Sequence, residues 1–258
     1  MSINNFVDKK VVDVLSEHRK QIESALEAYK GKKYDTAIDE LQSIVEKHPR
    51  SDIAYQILGR SYHKIGQHQQ AYEALKKSAE INAKNIGECW TEIGEMLAET
   101  GQVKSAIAAY EYVIKYAPSH AAAWRELGNV YFGLNQTEKA IKYLKKALKL
   151  KKDDPRSHFL LGLIHENDKE WKTASKFFEK AVKYGLNDQY FADFNFFYGY
   201  TIAKIGKVKK GIPYLEKAIE LDPGYLRAWK TLEYYCKKLG QKEKADACTV
   251  TIEALSQK

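Results

Sequence analysis

Residues 87–120 read GECWTEIGEMLAETGQVKSAIAAYEYVIKYAPSH. Apolar residues fall at i, i+3, i+4 and i+7 twice within this stretch, the spacing of two amphipathic helices. Trp90, Ile93, Gly94 and Leu97 share one face of the first helix. Ala106, Ile107, Tyr110, Val113 and Ile114 share one face of the second. Gly101 stands between them, suited to the left-handed position that stops a helix. Pro118 stops the second helix, since proline cannot continue the hydrogen-bond ladder. Gly94 and Ala106 are small where the two backbones come together, and a larger side chain there overpacks. The stretch therefore predicts a tight pair of helices.

The same stretch recurs along all 258 residues. Its alanine reappears at Ala37, Ala71, Ala106, Ala140, Ala174 and Ala245, with Gly211 in the sixth copy, at intervals of 34, 35, 34, 34, 37 and 34 residues. Its glycine reappears at Gly59, Gly94, Gly128, Gly162 and Gly199. Four residues before that column stand Tyr55, Trp90 and Trp124, then Asn195 as a lapse, and Trp229 in the last copy. Four residues after the alanine stand Leu41, Leu75, Tyr110, Leu144, Phe178 and Leu215. Pro49, Pro118 and Pro223 lie twelve residues after it. Between helices, Gly66, Gly101, Asn135, Gly206 and Gly240 hold the turn position. A period this regular marks an array of one supersecondary unit in which each copy packs on its neighbours.

This pattern resembles the tetratricopeptide repeat, W-x₂-L-G-x₂-Y…A-x₃-F…P. The resemblance covers about residues 18–255. It implies an all-α fold, an α-solenoid of antiparallel helix pairs in a right-handed superhelix of about fourteen helices. The expected organisation is a helical capping segment over residues 1–17, with Phe6, Val7, Val11, Val14 and Leu15 as its apolar face. One array over residues 18–258 follows, with repeats at 18–51, 52–86, 87–120, 121–154, 155–191, 192–225 and 226–258. The fifth repeat is longer, and its Tyr-Gly-Leu-Asn-Asp-Gln-Tyr stretch (184–190) reads as an extended loop. Pro213 is expected in the first turn of a helix, where its missing N–H has no partner anyway.

Apolar content of 44 % with 29 % charge is that of a folded chain and not a disordered one. No apolar run approaches the roughly 20 residues that span a bilayer, so membrane insertion is not expected. The start lacks an apolar h-region, so no secretory signal is expected. Cys89, Cys236 and Cys248 form a sparse, odd set that reads as free thiols and a cytoplasmic location. Charge is uneven: residues 1–129 hold 17 Lys+Arg against 18 Asp+Glu, and residues 130–258 hold 25 against 16. The basic half suits an acidic ligand.

The resemblance implies a binding protein, because first helices of the family line a concave groove that takes peptides. The groove positions of repeats four to seven give Arg125, Asn129, Phe132, Arg156, Phe159, Phe196, Tyr200, Arg227, Lys230, Tyr234 and Lys237 as candidate partner-binding residues. Aromatics and arginine dominate binding energy at interfaces. Two arrangements fit these aromatics: exposure in a groove, or packing between repeats. The expected function is a non-catalytic scaffold or adaptor for a protein or peptide with apolar and acidic groups. The clamp by which some family members hold acidic chaperone tails is not expected. Arg125 and Asn129 match it, whereas Leu160, Asp193 and Phe197 stand where it needs asparagine, lysine and arginine. No phosphate loop, His-Glu-x-x-His or nucleophile elbow is present, so no catalytic residue, cofactor or metal is expected. The alternative is a stripe of second-helix lysines, including Lys142, Lys149, Lys176 and Lys183, set against nucleic acid or an anionic membrane. Self-association by head-to-tail stacking is a further expectation.

Overall fold

A computed structural model describes residues 3–186 and 192–256, with side chains from residue 16 onward. The described residues form fourteen α-helices: α1 (Ile3–Lys30), α2 (Tyr34–Lys47), α3 (Asp52–Lys64), α4 (His68–Ile81), α5 (Ile86–Glu99), α6 (Val103–Tyr116), α7 (Ala121–Gly133), α8 (Thr137–Leu150), α9 (Pro155–Asn167), α10 (Trp171–Lys183), α11 (Ala192–Lys204), α12 (Val208–Leu221), α13 (Leu226–Lys238) and α14 (Lys242–Ser256). A single 3-10 turn, Ala83–Asn85, precedes α5, and no strand occurs among the described residues. The chain falls into two compact units, Met1–Val130 and Tyr131–Lys258, with the boundary inside α7. The side chains of Phe6, Val7, Val11, Val14 and Leu15, and residues 187–191 of the fifth repeat's loop, lie outside the described residues. No helix of the described chain is long and apolar enough to cross a membrane.

Each turn within a pair is closed the same way. Gly66, Gly101, Asn135, Gly206 and Gly240 all take positive φ, between 57° and 89°. Lys32 and Lys169 take φ of 60° at the corresponding turns of the first and fifth repeats, without glycine's freedom. At α5 the Gly101 N–H donates to the Ala98 carbonyl and the Gln102 N–H reaches back to that of Leu97 at 2.8 Å. Such bonds satisfy carbonyls that the helix end would otherwise leave bare.

The glycine column is cut to fit the residue four after the alanine. A Cβ on Gly94 would enter the ring of Tyr110, and one on Gly162 would enter the ring of Phe178. Both rings are fully buried. Gly59 meets Leu75 in the same way, its Cβ falling 2.7 Å from Leu75 Cγ. The tryptophan column is anchored by hydrogen bonds. Trp124 Nε1 donates to the Pro118 carbonyl and Trp229 Nε1 to that of Pro223, both at 2.9 Å. Each ring thus ties a first helix to the end of the preceding second helix.

α9 opens on Asp154, whose carboxylate accepts from the Ser157 N–H at 2.9 Å and from its hydroxyl. Pro155 supplies the first helical residue, where no N–H is needed. Pro213 departs from expectation. α12 begins at Val208, so Pro213 lies in the second turn, beyond the residues whose N–H groups are free. It removes the donor that would bond the Lys209 carbonyl. The three cysteines are free and buried.

Candidate functional site

In the second unit, α11 and α13 face each other across a cleft of roughly 650 Å³. α11 contributes Tyr200 and Lys204, four residues apart and therefore on one face. α13 contributes Arg227, Lys230, Thr231 and Tyr234 at the same helical spacing, with Leu226 and Tyr235 completing the wall. Lys204 Nζ sits 5.0 Å from the Tyr200 ring centre and 5.7 Å from that of Trp171, which stands edge-on to Tyr200. Its ammonium is held above the ordinary lysine range, first by its hydrogen bond to Tyr200 and against the opposing effect of burial. The Arg227 guanidinium lies over Phe196 at 4.8 Å and Phe197 at 5.4 Å. Cations over ring faces are attracted by the ring quadrupole. Lys230 and Tyr234 are exposed, Tyr234 by 59 %.

The cleft's cations are not neutralised by contact. Among the described residues Lys204, Arg227 and Lys230 make no ion pair. Arg227 acts on the buried carboxylate of Glu166, on α9. Burial raises its pKa, and Arg227 opposes that rise. Ionised Glu166 is therefore disfavoured in the folded state. Its penalty is fully present above the raised folded value and disappears below the ordinary carboxylate value. Glu166→Gln is expected to raise the melting temperature by a few degrees at pH 7. That gain should fade as the pH falls through the carboxylate range, as parallel thermal melts against pH will show.

The first unit contrasts with this. There polar side chains of α3 and α5 are engaged with one another. Gln56 donates to Glu88 at 2.8 Å, Arg60 donates to Glu92 through Nε and Nη2, and His63 lies 3.2 Å from Glu99. Hydrogen bonding to Glu92 is the main reason the Arg60 pKa is raised. These groups have little left to offer an acidic ligand.

Of the eleven sequence-derived candidates, four line the cleft: Tyr200, Arg227, Lys230 and Tyr234. Phe196 is fully buried, so it is corrected from a ligand contact to a core residue. It stacks on Tyr200 at 5.8 Å and packs on Tyr225 at 5.1 Å. Phe159 is half-buried between Phe178 and Phe194, at 5.9 and 5.6 Å. Phe132 is half-buried against the cluster of Ala140, Leu144, Leu161 and Ile164. Arg125 pairs with Glu126 at 2.7 Å, both side chains being nearly covered. Lys237 is exposed and pairs with Glu233 at 2.8 Å, which also accepts from Thr249. Asn129 and Arg156 are exposed on α7 and α9, outside the cleft. Lys204, Leu226, Thr231, Tyr235 and Trp171 are additions. Trp171 opens a second helix, a class of position the groove pattern does not sample, so its part in the site carried no sequence signal.

Family models described as tetratricopeptide repeat match residues 19–51, 53–85, 97–164 and 192–225. The chain belongs to the tetratricopeptide repeat family. The small glutamine-rich tetratricopeptide repeat-containing protein 2 of Mycosarcoma maydis is 27 % identical over 93 residues, which are 36 % of this chain and 26 % of that protein. The chain thus matches about a quarter of that relative's length. Among solved structures, the APC/C hetero-tetramer Cut9-Hcn1 aligns with a TM-score of 0.71 at 18 % identity, over 95 % of this chain and 50 % of the other. Pseudomonas aeruginosa pilF aligns at 0.69 and 16 %, over 86 % and 97 %. YrrB, described as a TPR protein with an unusual peptide-binding site, aligns at 0.56 and 22 %, over 71 % and 93 %. At these identities the likeness is one of fold.

Proposed function

We propose that this chain is a non-catalytic scaffold that holds a segment of a partner protein in the cleft between α11 and α13. The segment carries a carboxylate beside an apolar or aromatic side chain. The observation that carries this reading is the set of three cations, Lys204, Arg227 and Lys230, set among tyrosines without an ion-pair partner in the described residues. A carboxylate entering there gains charge-assisted hydrogen bonds, and its neighbour packs on Tyr200 and the exposed ring of Tyr234. YrrB's peptide-binding site lends the reading support at the level of fold.

Fluorescence anisotropy with labelled acidic-aromatic peptides tests it. Lys230→Glu combined with Tyr234→Ala is expected to weaken binding at least about tenfold, as for loss of an interface anchor and its charge. Both residues are exposed, so the melting temperature should stay near wild type. Equal binding of both proteins would place the ligand elsewhere.

A further inference from the structure

The second unit carries a further surface on different helices. α8 and α10 are basic along their exposed faces, and their C-terminal turns add apolar groups. Lys149 lies in the last turn of α8, and Lys151 and Lys152 follow in the linker to α9. Lys180 and Lys183 close α10. All five are exposed and make no ion pair among the described residues. Between them stand Leu150, Val182 and Tyr184, exposed by 39, 38 and 36 %.

His158 ties the two turns together. Its Nε2 donates to the Lys152 carbonyl at 3.0 Å, and its ring stacks on Tyr184 at 5.3 Å. The linker after α8 is thus held against the end of α10. Of the linker's two carboxylates, Asp154 is buried and committed to Ser157, which leaves Asp153 as the exposed acid. On α10, Glu179 accepts from Ser175 one turn back. The patch keeps a strong excess of positive charge.

We infer that the C-terminal turns of α8 and α10, with the linker between α8 and α9, dock on an anionic phospholipid surface. Lysines near such a surface are attracted through its negative potential, and their long stems let apolar neighbours approach the headgroups. Leu150 and Val182 lie among the lysines where a purely polyanionic ligand has no use for them. The cations of α8, its linker and α10 are all lysine, which binds phosphate as a point charge without arginine's planar fork. Both features favour a lipid headgroup layer over nucleic acid.

The test is co-sedimentation of the full chain with phosphatidylcholine vesicles, with and without phosphatidylserine, beside filter binding to single-stranded DNA. Binding is expected to the phosphatidylserine vesicles alone. Lys149→Glu/Lys152→Glu/Lys180→Glu/Lys183→Glu should lower it at least about tenfold, and Leu150→Ser/Val182→Ser by several-fold. Both variants should keep the wild-type melting temperature, since these side chains are exposed. Three results would overturn the inference: no vesicle binding, DNA binding without vesicle binding, or vesicle binding untouched by the charge reversals. The Lys230→Glu/Tyr234→Ala variant should bind vesicles like wild type, so this face and the peptide cleft fail or stand separately.

Discussion

Phe196→Ala is expected to cost the second unit about 4 kcal/mol, the range measured for deleting a buried phenyl ring. The ring is fully covered within a cluster that includes Ile212, Leu215, Leu232 and Tyr235. Removing it leaves a cavity on a part of α11 that cannot collapse, because α12 and α13 both rest on it. Two further attractions go with it. Arg227 loses the face it lies over, and Tyr200 loses its stacking partner at 5.8 Å. Urea unfolding followed by circular dichroism will show the loss as a lowered midpoint. Tyr234→Ala, exposed by 59 %, should change stability by no more than about 0.5 kcal/mol in the same experiment. A small effect at Phe196 would return that residue to the surface.

Gly211→Ala reverses the usual expectation for a repeat protein. Alanine is the residue at this column in the six other repeats, and replacing glycine inside a helix ordinarily gains about 1 kcal/mol. At Gly211 the new Cβ would fall 2.5 Å from the Gly199 carbonyl oxygen and 3.3 Å from Ala203 Cβ. Its obstacle is backbone, which cannot swing aside as a side chain does. Gly199 is equally tight, its Cβ falling 2.8 Å from the Gly211 carbonyl oxygen. α11 and α12 therefore approach as two bare backbones at this crossing. Overpacking of about 3 kcal/mol less the helix gain leaves a net loss of about 2 kcal/mol. Thermal melts of Gly211→Ala beside wild type decide it, and a raised melting temperature would refute this account of the pair.

The helix pairs were legible because their chemistry repeats. The left-handed turn position, the glycine and the bulky residue sixteen positions later must complement one another in each copy, so they recur in register. Gly94 with Tyr110 and Gly162 with Phe178 are two solutions of one packing problem. The site was harder to read because its key helix has no polar side. α11 buries Phe194, Asn195, Phe196, Tyr198, Gly199, Thr201, Ile202 and Ala203, so periodicity gives no phase for which ring turns outward. Phe196 and Tyr200 lie one turn apart on the same stripe, yet the first is covered and the second lines the cleft. The same groove position gives Arg125, nearly covered with Glu126, and half-buried Phe159, whereas Lys230 stands exposed. Coverage there depends on which helix packs alongside, and no single repeat encodes that. The charge asymmetry was a better guide. The near-neutral half pairs Arg60 with Glu92, and the basic half leaves Lys204 and Arg227 lying over rings and Lys230 exposed beside them.

The most direct test of the scaffold reading is site-specific photo-crosslinking in lysate of the source cells. A photoreactive phenylalanine replaces Tyr234 in one protein and Tyr116, exposed by 53 % in the first unit, in another. A discrete protein adduct is expected at position 234, competed away by an acidic-aromatic peptide and absent at position 116. Adducts at position 116 alone, or adducts at 234 that the peptide leaves untouched, would contradict the scaffold reading.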